Sequence, residues 1–212
     1  MKIIAHRGLW EKTEEKNRMT AFDRALEAGF GIETDVRELS GRLVLSHDIA
    51  DNRSVVFEDF LKLYRGKNSS AVLALNVKED GIQEITKKML EEYEIRHFFF
   101  FDMSIPEMVV YRRMGLSYFT RLSDIEHEPV LLEDADGVWV DAFFEDWDMA
   151  ACAREQLQNG KKVSMISPEI HGRKETTLWE RLSAMKLSEH DGFYLCTDYP
   201  EKAGAYFKGG EK

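Results

Sequence analysis

Sulfur chemistry is nearly absent from this chain. Its two cysteines, Cys152 and Cys196, are too few and too far apart for a disulfide framework or a thiolate metal site. Long apolar runs are missing as well. The longest, the HFFFF stretch at 97–101 with its flanks, falls far short of the roughly 20 residues that span a bilayer, so no stable membrane insertion is expected. The first residues, KIIA, lead straight into a polar motif without a charged leader, an apolar stretch or a small-residue cleavage site, and the expectation is a cytoplasmic protein. Positive charge is in deficit, with 29 Lys and Arg against 39 Asp and Glu and a net charge of −10. That balance disfavours a broad phosphate-binding surface and therefore a nucleic-acid partner. A small anionic ligand would have to be held by local cations.

Nothing in the 212 residues reads as a linker, which points to one domain over 1–212. Short apolar runs at 2–5, 32–35, 71–77, 97–101, 117–120, 137–140, 162–166 and 192–196 read as strands. Helix-period segments at 18–28, 55–64, 81–93, 106–114, 148–158 and 176–185 alternate with them. In the first of these, Phe22, Ala25, Leu26 and Gly29 recur at the spacing of one buried face, and Asn17 is placed to cap the helix. A further short strand at 43–46 leaves the main repeat and puts His47 on an excursion after the second strand. Eight alternations of strand and helix favour an α/β fold of a single eight-fold β/α (TIM) barrel. The competing open, doubly wound sheet would need a G-x-G-x-x-G turn after an early strand, and the first turn here is H-R-G-L-W.

Barrel active sites gather at the carboxyl ends of the strands, and the polar residues fall there. His6 follows the first strand, Glu33 and Asp35 end the second, Asn76 and Lys78 the third, and Asp102 and Asp141 follow the fourth and sixth. Glu33 and Asp35 are two apart on a strand, so their side chains share a face, and a bound cation relieves the repulsion between them. Oxygen ligands on short side chains suit Mg²⁺ or Ca²⁺ better than zinc. Cleavage of a P–O bond needs one group to take a proton and another to give one, and two imidazoles, His6 and His47, meet that need near neutral pH. Arg7 and Lys78 are the natural phosphate contacts, a planar fork and a compact charge. Arg121 would add positive charge, while Glu169 and His171 lie after the seventh strand. Trp10 and Trp139 are candidates for an apolar wall.

These motifs resemble the glycerophosphodiester phosphodiesterase family. The similarity rests on His6-Arg7-Gly8, Asn17 with Ala21-Phe22 and Ala25, Glu33-x-Asp35-Val36, Gly41-x-Leu43-Val44 with His47-Asp48, and Thr197-Asp198-Tyr199-Pro200. The resemblance implies an eight-fold β/α barrel with His6 and His47 as the acid/base pair. Arg7 and Lys78 would contact phosphate, and Glu33 and Asp35 would bind a divalent cation. The implied reaction is hydrolysis of a small-molecule glycerol- or polyol-phosphodiester, an adjacent hydroxyl of the polyol being able to attack phosphorus.

Three departures bear on that expectation. The family usually has Glu, a metal ligand, where this chain has Asn76, so the site loses one negative charge. Its Pro-Glu-Asn-Thr run is Glu15-Lys16-Asn17-Arg18 here. Only 48–70 separates His47 from the third strand, too little for the small subdomain many members carry there. A barrel that binds a phosphorylated ligand without turning it over is therefore the second expectation. A phospholipase-type enzyme at a membrane surface is a third, and it lacks the basic or apolar patch it would need.

Overall fold

The computed structural model describes residues 1–67, 69–144 and 147–208. All eight expected strands form: β1 (Lys2–His6), β2 (Gly31–Leu39), β5 (Leu73–Val77), β6 (Phe98–Phe101), β7 (Phe119–Leu122), β8 (Gly137–Val140), β9 (Lys162–Ile166) and β10 (Phe193–Thr197). The excursion holds β3 (Arg42–Leu45) and a two-residue β4 (Val55–Val56). The helices are α1 (Met19–Glu27), α2 (Phe57–Gly66), α3 (Gln83–Glu92), α4 (Ile105–Arg113), α5 (Met149–Gln158), α6 (Thr176–Ala184) and α7 (Pro200–Lys208). The result is a mixed α/β fold. Contacts divide it into two compact units, one made of Ala5–Tyr118 and the other of Met1–Ile4 with Phe119–Lys212.

In the Ala5–Tyr118 unit, β2 pairs in parallel with β5, and β5 with β6. β2 also turns back on itself, pairing antiparallel with β3, which pairs in turn with β4. Ser40 and Gly41 make this hairpin, both at positive φ (53° and 84°), the conformation that a tight two-residue connection between twisted strands requires. Every residue of β5 is buried, as expected of a parallel strand covered on both faces. Phe22 of α1 meets Phe60 of α2 with ring centroids 4.7 Å apart, and Phe100 of β6 meets Tyr111 of α4 edge-on at 4.9 Å. In the second unit β7, β8, β9 and β10 follow one another in a parallel ladder. Val138, Val163, Met165, Phe193 and Leu195 pack there against Trp179 and Leu182 of α6 and Ala150 and Ala153 of α5.

The structure corrects four details of the sequence reading. Gly29 is exposed and does not belong to the buried face of α1. At φ 76° it ends the helix, with its own N–H on Leu26 O at 3.1 Å and the Phe30 N–H on Ala25 O at 2.9 Å. Asn17 does not cap α1. The cap position is Arg18, which makes no side-chain capping bond, because the Asn17 side chain is drawn into the core. Val55 and Val56 pair with β3 instead of opening α2, since β-branched residues suit a strand. Finally, α7 went unrecognised. Its buried side, Pro200, Ala203 and Gly204, is too weakly apolar to show a helical period.

The turn after β1 depends on Gly8, whose φ is 91°. A Cβ there would lie 2.8 Å from both the carbonyl carbon and the Cβ of Ala21 in α1. Gly8→Ala should destabilise the protein by about 2–4 kcal/mol, combining left-handed strain with overpacking. Urea unfolding of the two proteins measures the difference.

Candidate active site

Asp35 is fully buried on β2, and Glu33, two residues before it on the same face, is 2% exposed. Groups from three other segments converge on Asp35. Its Oδ2 accepts a hydrogen bond from Asn17 Nδ2 at 2.8 Å and lies 3.3 Å from Arg7 Nε, while Oδ1 lies 3.3 Å from Lys78 Nζ. Neither cation is in hydrogen-bonding geometry with the carboxylate, so both act on it mainly through charge. Asn17 is oriented from behind, its Oδ1 accepting from the Thr34 hydroxyl at 2.7 Å.

The H-R-G turn holds Arg7 and His6 against this pair. Arg7 adopts φ 58°, and its backbone N–H is shared between Glu33 O at 3.0 Å and Glu33 Oε2 at 3.2 Å. The Asn17 N–H bonds back to Arg7 O at 3.0 Å, and Trp10 Nε1 donates to His6 O at 3.2 Å. His6 Nε2 is 3.9 Å from Glu33 Oε2.

Charge is unevenly held across the acidic pair. Burial, and then the neighbouring charge of Asp35, raise the Glu33 carboxyl to about 8 against the opposing pull of Arg7 and Lys78. Burial also works against ionised Asp35, but Lys78, Arg7, the Asn17 hydrogen bond and His47 outweigh it and keep Asp35 below the ordinary carboxylate range. One carboxylate is thus a firm anion, and the other favours a bound proton or cation.

β5 sets Asn76 directly beside Asp35 in the parallel register. Asn76 Nδ2 donates to Asp102 Oδ2 at 3.1 Å, which directs the amide oxygen the other way. Asn76 Oδ1 and Asp35 Oδ1 are both buried acceptors without a hydrogen-bond donor. Such an acceptor costs about 1–3 kcal/mol if left unmet. Two of them on paired strands beside Glu33 fit a hard divalent cation, which takes carboxylate and amide oxygens alike. Among the described residues no cluster of three or more His, Cys, Asp or Glu side chains is poised for a metal, so the oxygen of Asn76 is needed to complete a donor set.

His47 is brought back to this region by the hairpin, where Ser46 N–H bonds to Asp35 O at 2.9 Å. Arg37, on the same face of β2 as Glu33 and Asp35, donates to Ser46 O at 3.1 Å, to His47 O at 2.9 Å and to Lys78 O at 3.4 Å. It ties the excursion to the end of β5. The His47 side chain is partly exposed, with Nδ1 2.9 Å from Asp48 Oδ1. Arg7 and His47 both line a cavity of about 340 Å³.

Six of the sequence-predicted residues (His6, Arg7, Glu33, Asp35, Asn76 and Lys78) together with His47 therefore fall in the Ala5–Tyr118 unit. Arg121 belongs to the other unit, where its guanidinium grips both oxygens of Glu126 at 2.6 and 2.8 Å. There too His171 Nε2 meets Asp141 Oδ1 at 2.8 Å. Glu169 accepts from the Ser167 and Thr197 hydroxyls and from the Asp198 N–H, binding the end of β9 to the Thr-Asp-Tyr-Pro segment. Trp139 is buried in that unit, and Trp10 carries Lys16 over its ring at 4.3 Å. Sequence reasoning missed Arg37, although its period-two spacing from Asp35 was a visible signal. It also assigned Asn17 to the helix when its partner was the acidic strand.

No family model and no curated protein matches the chain. Solved structures do. A candidate glycerophosphodiester phosphodiesterase of Galdieria sulphuraria is similar at a TM-score of 0.74 and 17% identity, covering 98% of this chain and 97% of its own. The glycerophosphodiester phosphodiesterase of Agrobacterium tumefaciens follows at 0.69 and 18%, with 97% and 99% covered. A phosphodiesterase of Oleispira antarctica, in complex with the product sn-glycerol-3-phosphate, is similar at 0.67 and 17%, with 98% and 97% covered. Identities this low establish a shared fold over nearly the whole chain. No helix among the described residues is long and apolar enough to cross a membrane.

The Glu33 shift makes stability depend on pH. A carboxyl whose folded pKa is raised favours the folded state fully below its unfolded pKa, and that contribution is lost as pH climbs through about 8. Melting temperature in EDTA should fall between about pH 5 and pH 8, and Glu33→Gln should flatten that segment of the profile. An unchanged slope in the variant would place the ionisation elsewhere.

Proposed function

We propose that this chain is a metal-dependent phosphodiesterase of the glycerophosphodiester phosphodiesterase family, hydrolysing a glycerol- or polyol-phosphodiester to an alcohol and a phosphomonoester resembling glycerol 3-phosphate. The observation that carries the reading is the buried Glu33–Asp35 pair, bracketed by Arg7 and Lys78 and faced by an undonated Asn76 oxygen. The shared fold supports it, as does the product held by one similar structure. On this reading the chain is a single eight-fold β/α barrel domain over 1–212, acting in the cytoplasm on a small molecule.

Glu33, Asp35 and Asn76 Oδ1 would hold the Mg²⁺ or Ca²⁺, whose positive charge would favour the negative charge developing on the phosphoryl oxygens. Arg7 and Lys78 stand against Asp35 at 3.3 Å each and turn toward phosphate as a second anion to share. Arg121 joins them only by exchanging Glu126 for phosphate. Asp48 occupies Nδ1 of His47 and leaves Nε2 to carry the proton in transit. One imidazole of the His6–His47 pair takes the proton of the attacking hydroxyl. As the P–O bond to the leaving alcohol breaks, the other protonates the departing alkoxide, and water then opens the resulting cyclic phosphodiester with the two roles exchanged, giving the phosphomonoester.

Asn76 also favours a second reading, in which the barrel binds a phosphorylated ligand without turnover. Calorimetric binding of glycerol 3-phosphate together with no product from glycerophosphodiesters over long incubation would select it.

Glycerol 3-phosphate release from a panel of glycerophosphodiesters with Mg²⁺, Ca²⁺ or Mn²⁺ should be abolished by EDTA and restored by the cation. Equal activity in both would sink the metal role. His6→Ala and His47→Ala should each lower turnover by about 10²–10⁴-fold. Asn76→Glu should raise cation affinity at least severalfold, read by calorimetry, because a full charge replaces an amide dipole.

A further inference from the structure

Of the three side chains proposed to hold the cation, only Asn76 can be the wrong way round. A carboxylate presents an oxygen on either side, whereas an amide presents one oxygen and one NH₂, and a half-turn about its last side-chain bond exchanges them. Turned the wrong way, Asn76 would offer a cation two N–H groups in place of a lone pair. The neighbouring strand decides which end is which. β6 runs parallel to β5 with Phe101 opposite Asn76, so that Asp102 follows directly beyond that pair. Asn76 Nδ2 donates to Asp102 Oδ2 at 3.1 Å. An ionised carboxylate can only accept, so this contact admits the amide nitrogen and rejects the amide oxygen. Asn76 Oδ1 is left buried and without a hydrogen-bond donor. Asp102 itself stands at φ 65°, a conformation that Asp, Asn and Gly adopt with little strain. Of those three, only Asp offers an acceptor that cannot turn into a donor.

We infer that Asp102 is a positioning residue for the cation: by accepting the Asn76 N–H it locks the amide with its oxygen available, and it is needed for this only because residue 76 is an amide. The inference deepens the phosphodiesterase reading and rests on it for the cation itself. The Glu expected at this position from the family resemblance would need no such partner, and beside Asp102 it would face a second carboxylate. Asn76 and Asp102 thus act as one unit divided between two strands, β5 supplying the oxygen and the residue after β6 its orientation. Partners that orient a metal ligand typically account for about 10–100-fold in metal affinity.

Calorimetric titration of the full protein, stripped with EDTA and returned to chelator-free buffer, tests this with Mg²⁺ or Ca²⁺, whichever the unaltered protein binds more tightly. Asp102→Gly should lower cation affinity by about 10–100-fold. In the Asn76→Glu protein the same substitution should cost at least about fivefold less, because a carboxylate has no wrong end to turn. The loss of the Asp102 charge acts in both backgrounds and drops out of that ratio, which leaves the orientation. Asp102→Asn, whose own amide can present either end to Asn76, should show the same dependence on residue 76 with a smaller loss, and it serves if Asp102→Gly does not fold. An equal fold-loss in both backgrounds, as mere loosening of the β6 end would give, or no loss in either, overturns the inference. If neither cation binds the unaltered protein, the metal role falls and the inference with it. Cation-dependent turnover with an affinity indifferent to Asp102 would overturn the inference alone, whereas the dependence on residue 76 without turnover of any diester would keep the inference and overturn the hydrolytic reading.

Discussion

The buried negative charge of Asp35 is the constraint around which the Ala5–Tyr118 unit is arranged. An ionised carboxylate with no exposed surface is tolerable only if opposite charges and hydrogen bonds replace its water. Each replacement here comes from a different part of the chain: Arg7 from the turn after β1, Asn17 from the approach to α1, Lys78 from the end of β5. Meeting one carboxylate's needs therefore fixes three connections at once. The same crowding leaves Glu33 short of compensation, so that its carboxyl keeps its proton well above the ordinary carboxylate range.

The parts of this arrangement that follow strand geometry were legible in the sequence. The period-two placement of Glu33 and Asp35, and the habit of barrels to gather polar residues at strand ends, located the pair, Lys78 and Asn76 without any knowledge of contacts. Contacts that depend on where a loop returns were not legible. Asn17 stands just before a helix and looks like a cap, yet its positive φ of 55° and its partners Thr34 and Asp35 belong to a strand it meets only in three dimensions. Arg37 was passed over because its acceptors are backbone carbonyls, which leave no mark on composition. Gly29 misled for a simpler reason: a helix-ending glycine falls on the helical period by chance of spacing.

Asn76 changes the electrostatic balance of the site without removing its geometry. Its amide spends its donor side on Asp102 and leaves its buried oxygen without a donor, a polarity a carboxylate would not have needed. Asp102 takes up this role from a left-handed conformation, φ 65°, directly after β6. A negative charge missing from β5 is thus present one strand further on. This separates the amount of negative charge around the acidic pair from the number of oxygen atoms beside it.

The orientation of the Asn17 amide is dictated twice, by a hydroxyl that donates to its oxygen and a carboxylate that accepts from its nitrogen. Ageing therefore has a specific consequence at this residue. Asparagine is among the side chains lost first to heat, and its deamidation product is an aspartate. At this position that one-atom exchange would set a third carboxyl against Asp35 in place of the donor that steadies it. Loss of that one amide would thus unsettle the acidic pair from a residue that carries no charge of its own.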